Sequence, residues 1–356
     1  MAYDVQRRMR LARMAELYYL ERLTQSEIAK RFGVSTMQIS RLLREAQQLG
    51  VVEFKIHHPL PVDQALGREL QDTYGLKSVL AVRTSRPDQV KQDVAFAAAY
   101  HVLSLLRPHT TLAVGWSSTL ALMAQALPYQ PIEGLSVVQM FGPLPLSADQ
   151  YNPYDAFARI GAQLGARMHP LHAPTVLRSK AARDALIADP AVKSVLDMAR
   201  AADYAMCGIG TAGDDSTFHQ MGYVSSEELA ALAAEGVVGD ILGHFIDGEG
   251  RVLSWSYAEM LVSLDLHDLR RVPEVITVAA GPSKVKPVLG ALRGGYLAHL
   301  VADAGLVRAL LASGERADEQ ADKASDEQVD KASDEQADKA TDETMDEALD
   351  TAIPVS

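Results

Sequence analysis

Two helix starts eleven residues apart leave the segment from Leu23 to Gly50 little freedom of fold. Thr24 stands where an N-cap belongs, with Glu27 three residues on, and Ser35 and Gln38 repeat the arrangement. Each is a capping box, in which a hydroxyl and a carboxylate or amide satisfy N–H groups that a helix start leaves unpaired. Leu23 with Ile28 and Val34 with Ile39 supply apolar staples. Gly33 fits the turn between the helices and Gly50 a C-terminal stop. The spacing predicts a helix-turn-helix.

The second of these helices divides into two faces. Ile39, Leu42, Leu43, Ala46 and Leu49 fall on one side, predicted to pack inward. Met37, Arg41, Arg44 and Gln48 lie opposite, with Thr36, Gln38 and Ser40 towards the leading end. Arginine reaches guanine or phosphate, and amide or hydroxyl groups reach base edges or backbone oxygens. Thr36, Met37, Gln38, Ser40, Arg41 and Arg44 are therefore the candidate contacts to double-stranded DNA. The plain alternative is a solvated face on an ordinary helical hairpin. A leading helix over 5–20 places Leu11, Met14, Ala15 and Tyr18 at one face as a buttress, with Arg7, Arg8, Arg10 and Arg13 available to phosphates.

Beyond Gly50, Val52, Phe54 and Ile56 alternate with charged residues as in a short strand, a wing in a winged-helix-like head. HHPLP at 57–61 then reads as a stiff linker. His57 and His58 have no third metal ligand nearby in sequence, and His169 and His172 flank a proline, so no metal site is expected. The organisation predicted is a DNA-binding domain over 1–56, a linker over 57–62, an effector and oligomerisation domain over 63–313 and a tail over 314–356. The net charge of −12 is unevenly spread. Residues 315–350 hold 15 acids against 4 bases, whereas residues 1–50 hold 9 bases against 5 acids. A basic head with an acidic tail is the asymmetry expected if only the head meets phosphate. The tail repeats ASDEQVDK and ASDEQADK with a period of eight, offers no apolar stripe, and reads as a disordered appendage. A single cysteine, no signal pattern and no long apolar run point to a cytoplasmic protein with no membrane association.

From residue 63 to 313 strand-like and helix-like segments alternate. Strands are predicted near 78–82, 111–115, 136–141, 204–209, 275–279 and 297–301. Helices are predicted near 63–74, 88–106, 119–127, 154–166, 180–199, 226–235, 283–292 and 303–312. Continuous apolar strands alternating with helices imply an α/β fold, a doubly wound and mostly parallel sheet covered on both faces. Ligands of such sheets bind beyond the carboxyl ends of the strands. Gly115-Trp116-Ser117-Ser118-Thr119 follows a strand and opens a helix, which aims N–H groups and hydroxyls at an anion. It resembles half of a nucleophile elbow but has Thr119 where that motif has glycine, and no partner histidine can be assigned. Gly208 to Gly213 matches the dinucleotide fingerprint formally. The DDSTFHQMG that follows is no amphipathic helix, so close backbone approach to another ligand fits better. Cys207 ends an apolar strand, as core cysteines do. Asp247 either accepts from sugar hydroxyls or holds an Asp-Gly turn. Lys284 adds positive charge at a helix start, suiting a phosphate, unless it is merely exposed there.

With these residues in view, the chain from about 8 to 312 resembles the SorC/DeoR-type sugar-responsive bacterial transcriptional regulators. The resemblance rests on Leu23–Gly50 and on VGWSST at 114–119, VVQMFG at 137–142, GIGT at 208–211, GDILGHFIDGEG at 239–250 and AAGPSKVKPVLGALRGG at 279–295. It implies an effector domain similar to sugar-phosphate isomerases, binding a sugar, polyol or sugar phosphate without a cofactor. It also implies homodimers or homotetramers on paired operator half-sites, and no catalysis. By position, Gly115, Ser117, Ser118 and Thr119 resemble the family's effector loop, Asp247 its sugar-facing acid and Lys284 its phosphate-contacting lysine. Trp116, Gly142, Gly208 and Gly210 complete the candidate contacts. Ser117, Pro282, His244, Ile246 and the Leu300–Ala304 run depart from the family pattern and imply an altered pocket. The rival reading is a sugar-phosphate isomerase-like enzyme with a helical appendage, for which no acid–base pair can be singled out.

Overall fold

In the computed structural model the chain forms two compact units, Met1–Pro59 and Leu60–Ser356. The structure describes residues 2–52, 61–84, 86–142 and 153–314. The strand expected at 52–56, apart from Val52, most of the linker, and the tail beyond 314 lie outside them.

In the first unit, α1 (Ala2–Ala15) runs into a wider π-turn over Glu16–Leu20, and α2 (Gln25–Phe32) and α3 (Thr36–Gln48) follow. Both capping boxes form in full. Thr24 and Ser35 accept from the Glu27 and Gln38 N–H groups, whose side chains accept in return from the cap N–H groups. Gly33 adopts φ 63°, a left-handed conformation that costs glycine nothing. Met14, Leu17, Ile28, Ile39 and Leu43 close a core that all three helices share. Leu49, expected inward, is exposed, because α3 ends one residue before it.

The second unit is built on a seven-stranded sheet. Its strands are β1 (Ser78–Val82), β2 (Thr111–Val114), β3 (Ser136–Gln139), β4 (Arg167–His169), β5 (Tyr204–Cys207), β10 (Glu274–Ala279) and β11 (His299–Asp303). The intervening β6 (Gly210–Thr211), β7 (Val237–Ile241), β8 (His244–Asp247) and β9 (Val252–Leu253) make a small antiparallel sheet. The large sheet has the order β1-β11-β10-β5-β2-β3-β4, and its pairs are parallel. The helices of this unit are α4 (Gln64–Tyr74), α5 (Val90–Leu105), α6 (Ser118–Ala126), α7 (Pro153–Leu164), α8 (Lys180–Ala188), α9 (Pro190–Arg200), α10 (Thr217–Gln220), α11 (Ser226–Ala234), α12 (Leu266–Leu269), α13 (Val285–Arg293) and α14 over 304–314. The single helix expected over 180–199 is two, because Pro190 cannot continue α8 and instead opens α9, which Asp189 caps through the Ala191 N–H.

Strand residues alternate between two cores. Tyr204, Met206, Ile276, Val278 and Val301 face α5, α6 and α7, whereas Ala205, Cys207, Val275, Ala279, Leu300 and Ala302 face the layer holding α4, α12, α13 and α14. Burial on both faces is why these strands read as unbroken apolar runs. From β2 the chain steps outward to β3 and β4, then returns to lay β5 on the other flank of β2. The crossovers therefore part company between β2 and β5, and a crevice opens at their carboxyl ends.

At the opposite, amino edge a polar relay ties three strand starts together. Ser78 Oγ lies 3.0 Å from His101 Nε2 and 2.7 Å from His299 Nδ1, His299 Nε2 lies 2.6 Å from Glu274 Oε2, and Lys77 Nζ donates to Glu274 Oε1 at 2.6 Å. Burial, with the neighbouring His299, pushes the His101 pKa down to about 4. A histidine held neutral by the fold favours the native state fully above its unfolded pKa of about 6.5, and that advantage shrinks as pH falls towards 4. The group then withdraws at most about 3 kcal/mol of stability across that window. His101→Gln, which keeps a partner for Ser78, should flatten the fall in unfolding free energy between pH 6.5 and 4, read by urea titration at several pH values.

Candidate functional site

A cavity of about 470 Å³ occupies the crevice between β2 and β5, within the size range of small-molecule sites. The turns after three strands form its walls: Trp116–Thr119 after β2, Gly208–Gly210 after β5, and Ala280, Ser283 and Lys284 after β10. Ser117 is the N-cap of α6, its Oγ accepting from the Leu120 N–H at 3.0 Å. The helix start is thereby fixed with its first N–H groups towards the cavity. Gly208 and Gly210 are glycines for want of space. A Cβ on Gly208 would stand 2.3 Å from the Ser117 Cβ, and one on Gly210 would stand 1.8 Å from an Asp240 carboxylate oxygen.

The cavity carries charges of both signs on different walls. Lys284 sits in a 3-10 turn ahead of α13 and donates to the Ile209 carbonyl at 2.7 Å. Burial lowers its pKa, and the nearby carboxylates of Asp240 and Asp215 work against that shift. Lys91, from the first turn of α5, donates to Ser118 Oγ at 2.6 Å, and desolvation lowers its pKa against the pull of Asp215. Facing them, Asp240 is buried, and its Oδ2 accepts from the Gly243 N–H at 3.1 Å. Burial pushes its pKa up to about 6, with the Gly243 N–H and the Lys284 charge opposing the rise. Asp215 accepts from Thr211 Oγ1 at 2.6 Å. Phe218 and Trp116 give the cavity an aromatic side.

Of the residues singled out from the sequence, Trp116, Ser117, Ser118, Thr119, Gly208, Gly210 and Lys284 line this cavity; Gly115, Gly142 and Asp247 do not. Gly115 is packed beneath Leu242 and Met140, and Gly142 against the Ala173 backbone, so close packing accounts for both glycines. Asp247 is spent on its own turn. Its Oδ1 accepts from the Glu249 and Arg251 N–H groups, each at 2.9 Å, and its Oδ2 accepts from Arg251 Nε at 2.7 Å. The β7–β8 pairing explains this placement. Asp240 pairs with Phe245 near the hairpin turn, whereas Asp247 pairs with Val237 at the far end. The acid offered to the cavity is Asp240, from the same GDILGHFID motif. Lys91, Asp215 and Asp240 were not foreseen as site residues. The signal for Asp240 was its place on a strand just before the Leu242–Gly243 turn, and Lys91 had none. Cys207 is buried and its thiol is pushed up to about 11 by desolvation, so it stays protonated in the core.

In the other unit the outer face of α3 presents Thr36, Met37, Arg41 and Arg44 exposed, with Ser40 half-buried. Among the described residues neither Arg41 nor Arg44 forms an ion pair. On α1, Arg7 pairs with Glu45 at 2.6 Å and Arg13 with Glu16 and Glu21, while Arg8 donates to the Leu49 carbonyl. These three arginines brace the helices. Arg10 remains exposed beside Arg41, across a groove of about 390 Å³ between α1 and α3.

One chain thus joins a helix-turn-helix to a domain with its own small-molecule crevice, which is the plan of a DNA-binding regulator. Residues 60–312 match the family model of a sugar-binding domain, Sugar-bind, and residues 15–48 that of Sigma-70, region 4. The deoxyribonucleoside regulator of Bacillus subtilis (strain 168) is 30% identical over 304 residues, spanning 83% of this chain and 95% of its own length. The transcriptional regulator LsrR of Enterobacter sp. (strain 638) is 32% identical over 306 residues, spanning 85% and 92%. The full-length sorbitol operon regulator SorC from Klebsiella pneumoniae superposes with a TM-score of 0.66 at 26% identity, over 85% of this chain and 97% of that one. The chain belongs to the SorC/DeoR-type family of transcriptional regulators with a sugar-binding domain, and the isomerase reading is set aside.

Asp240→Asn should test the cavity's electrostatics. A carboxyl whose folded pKa exceeds its unfolded one costs nothing at acid pH, and the cost develops as pH rises from about 4 through 6. The variant should be more stable than the wild type by about 1–3 kcal/mol at pH 7–8 and equal to it near pH 4 in urea titrations.

Proposed function

We propose that this chain binds operator DNA as a homodimer or homotetramer in the cytoplasm, and that a phosphorylated sugar in the β2/β5 cavity sets its operator affinity. The observation that carries the reading is the division of that cavity. Lys91, Lys284 and the α6 start offer positive charge to an anion, while Asp240 and Asp215 offer acceptors to hydroxyls. A molecule with a phosphate at one end and several hydroxyls at the other satisfies both walls; a neutral sugar or polyol would satisfy only the second. Two ammonium groups crowded without an anion repel, and each loses solvation to the walls. Phosphate between them would relieve both costs and draw the α5, α6 and α13 starts together, which gives the bound and free states the energetic difference that allostery needs. On the DNA side, Thr36, Met37, Gln38, Ser40, Arg41 and Arg44 form the reading face, the Gln38 amide oxygen being engaged in the Ser35 cap. The supporting observation is that Arg41 and Arg44 are exposed and uncommitted to acids. No helix among the described residues is long and apolar enough to cross a membrane. Binding, not turnover, is the role proposed for the cavity.

A thermal-shift panel of pentoses, hexoses, polyols and their phosphates should show stabilisation by one or a few sugar phosphates, since a ligand of the native state raises Tm by mass action. Lys284→Gln should weaken that ligand about 10- to 100-fold, as loss of a charge-assisted bond does, while leaving its unphosphorylated counterpart unchanged. Chemical turnover of the ligand would overturn the regulator-only reading. In mobility-shift titrations, Arg41→Ala and Arg44→Ala should each lower operator affinity and reduce the slope of log affinity against log salt by up to about one unit.

A further inference from the structure

The first turn of a reading helix is the part that meets base edges. In this protein its chemistry is narrower than its sequence. Glutamine reads adenine by accepting from N6 and donating to N7. The Gln38 Oε1, however, already accepts from the Ser35 N–H at 2.9 Å and from the Ser35 hydroxyl at 3.2 Å. Turning it towards a base would undo the cap that starts α3. Ser40 is half-buried. What the leading end still presents is Thr36 and Met37. Met37 keeps 82% of its surface open, more than any other large apolar side chain among the described residues.

Lone exposed methionines are ordinary on protein surfaces. This one is informative through its neighbours: Arg41 follows one helical turn later and Arg44 less than a turn beyond that, both exposed and unpaired among the described residues. That charge would bring the same face against phosphates and desolvate the thioether between them. The major groove displays one apolar group, the 5-methyl of thymine. A thioether with a threonine methyl beside it matches that group.

We infer that Met37, supported by the Thr36 methyl, reads a thymine methyl in each operator half-site. The inference rests on the DNA-binding reading above and adds the base chemistry to it. The test uses the full chain and the duplex it selects from a randomised pool. Each thymine in turn is replaced by deoxyuridine, which removes the methyl and leaves every hydrogen-bonding group in place. The wild type should lose about fourfold in affinity, the worth of one buried methyl, at one thymine per half-site. Met37→Ala should bind the thymine and deoxyuridine duplexes equally there, whereas Met37→Leu should retain the preference. An unchanged Tm in both variants would confirm that the exposed position leaves the fold intact. If no deoxyuridine weakens the wild type, or if Met37→Ala keeps the thymine preference, the inference is overturned while DNA binding stands. If the chain selects no duplex at all, both readings are overturned.

Discussion

The switch in winding between β2 and β5, parallel neighbours whose chains continue to opposite sides of the sheet, is the constraint on which the second unit depends. Parallel strands joined by right-handed crossovers normally keep neighbouring connections packed side by side. Here the connection leaving β2 runs towards β3 and that leaving β5 runs towards β10, so no connection covers the gap between them. The turns that border it come close to one another. Ser117 against Gly208, and Asp240 against Gly210, show how tightly they meet. Everything chemical about this unit follows from filling that gap with polar groups instead of closing it.

Burying charge there is costly unless each sign has an answer. Lys284 and Asp240 temper each other, and Asp215 bears on both lysines. The arrangement is stable without being satisfied, since the pKa of Asp240 remains high and those of Lys91 and Lys284 remain low. A site that keeps some desolvation uncompensated has free energy to release to a suitable ligand, which a fully neutralised salt bridge lacks. The Gly281 turn that carries Lys284 is held from behind. Asp303 Oδ2 accepts from the Gly281 N–H at 2.8 Å, while its Oδ1 accepts from the Leu306 N–H at 2.9 Å and starts α14. Asp303 stands in the run where the family pattern is altered, yet the acid itself has a clear structural task.

Local chemistry made the helix-turn-helix legible from sequence, because capping boxes are read within four residues and formed as the spacing required. The large sheet was legible for a similar reason, its apolar runs being long enough to declare themselves. The small sheet was not. Two of its strands have two residues each, and period-two patterning needs more than that to register. The three-residue β4 escaped in the same way. Asp240 and Asp247 stand in one motif, and only the hairpin register says which end faces the crevice. Lys91 comes from a helix far from any turn motif. Residues that reach a site from across a fold leave no spacing to read.

The relay of Ser78, His101, His299, Glu274 and Lys77 binds the sheet along one margin, like the spine of a book. Its members join β1, β11, β10 and α5, and α5 also carries Lys91 at its other end. The helix is thus tied to the amino edge of the sheet at one end and hydrogen-bonded to the crevice wall at the other. A guest that took up Lys91 would therefore pull on a rod whose far end is pinned, ten residues along the chain, by a histidine in the sheet's margin.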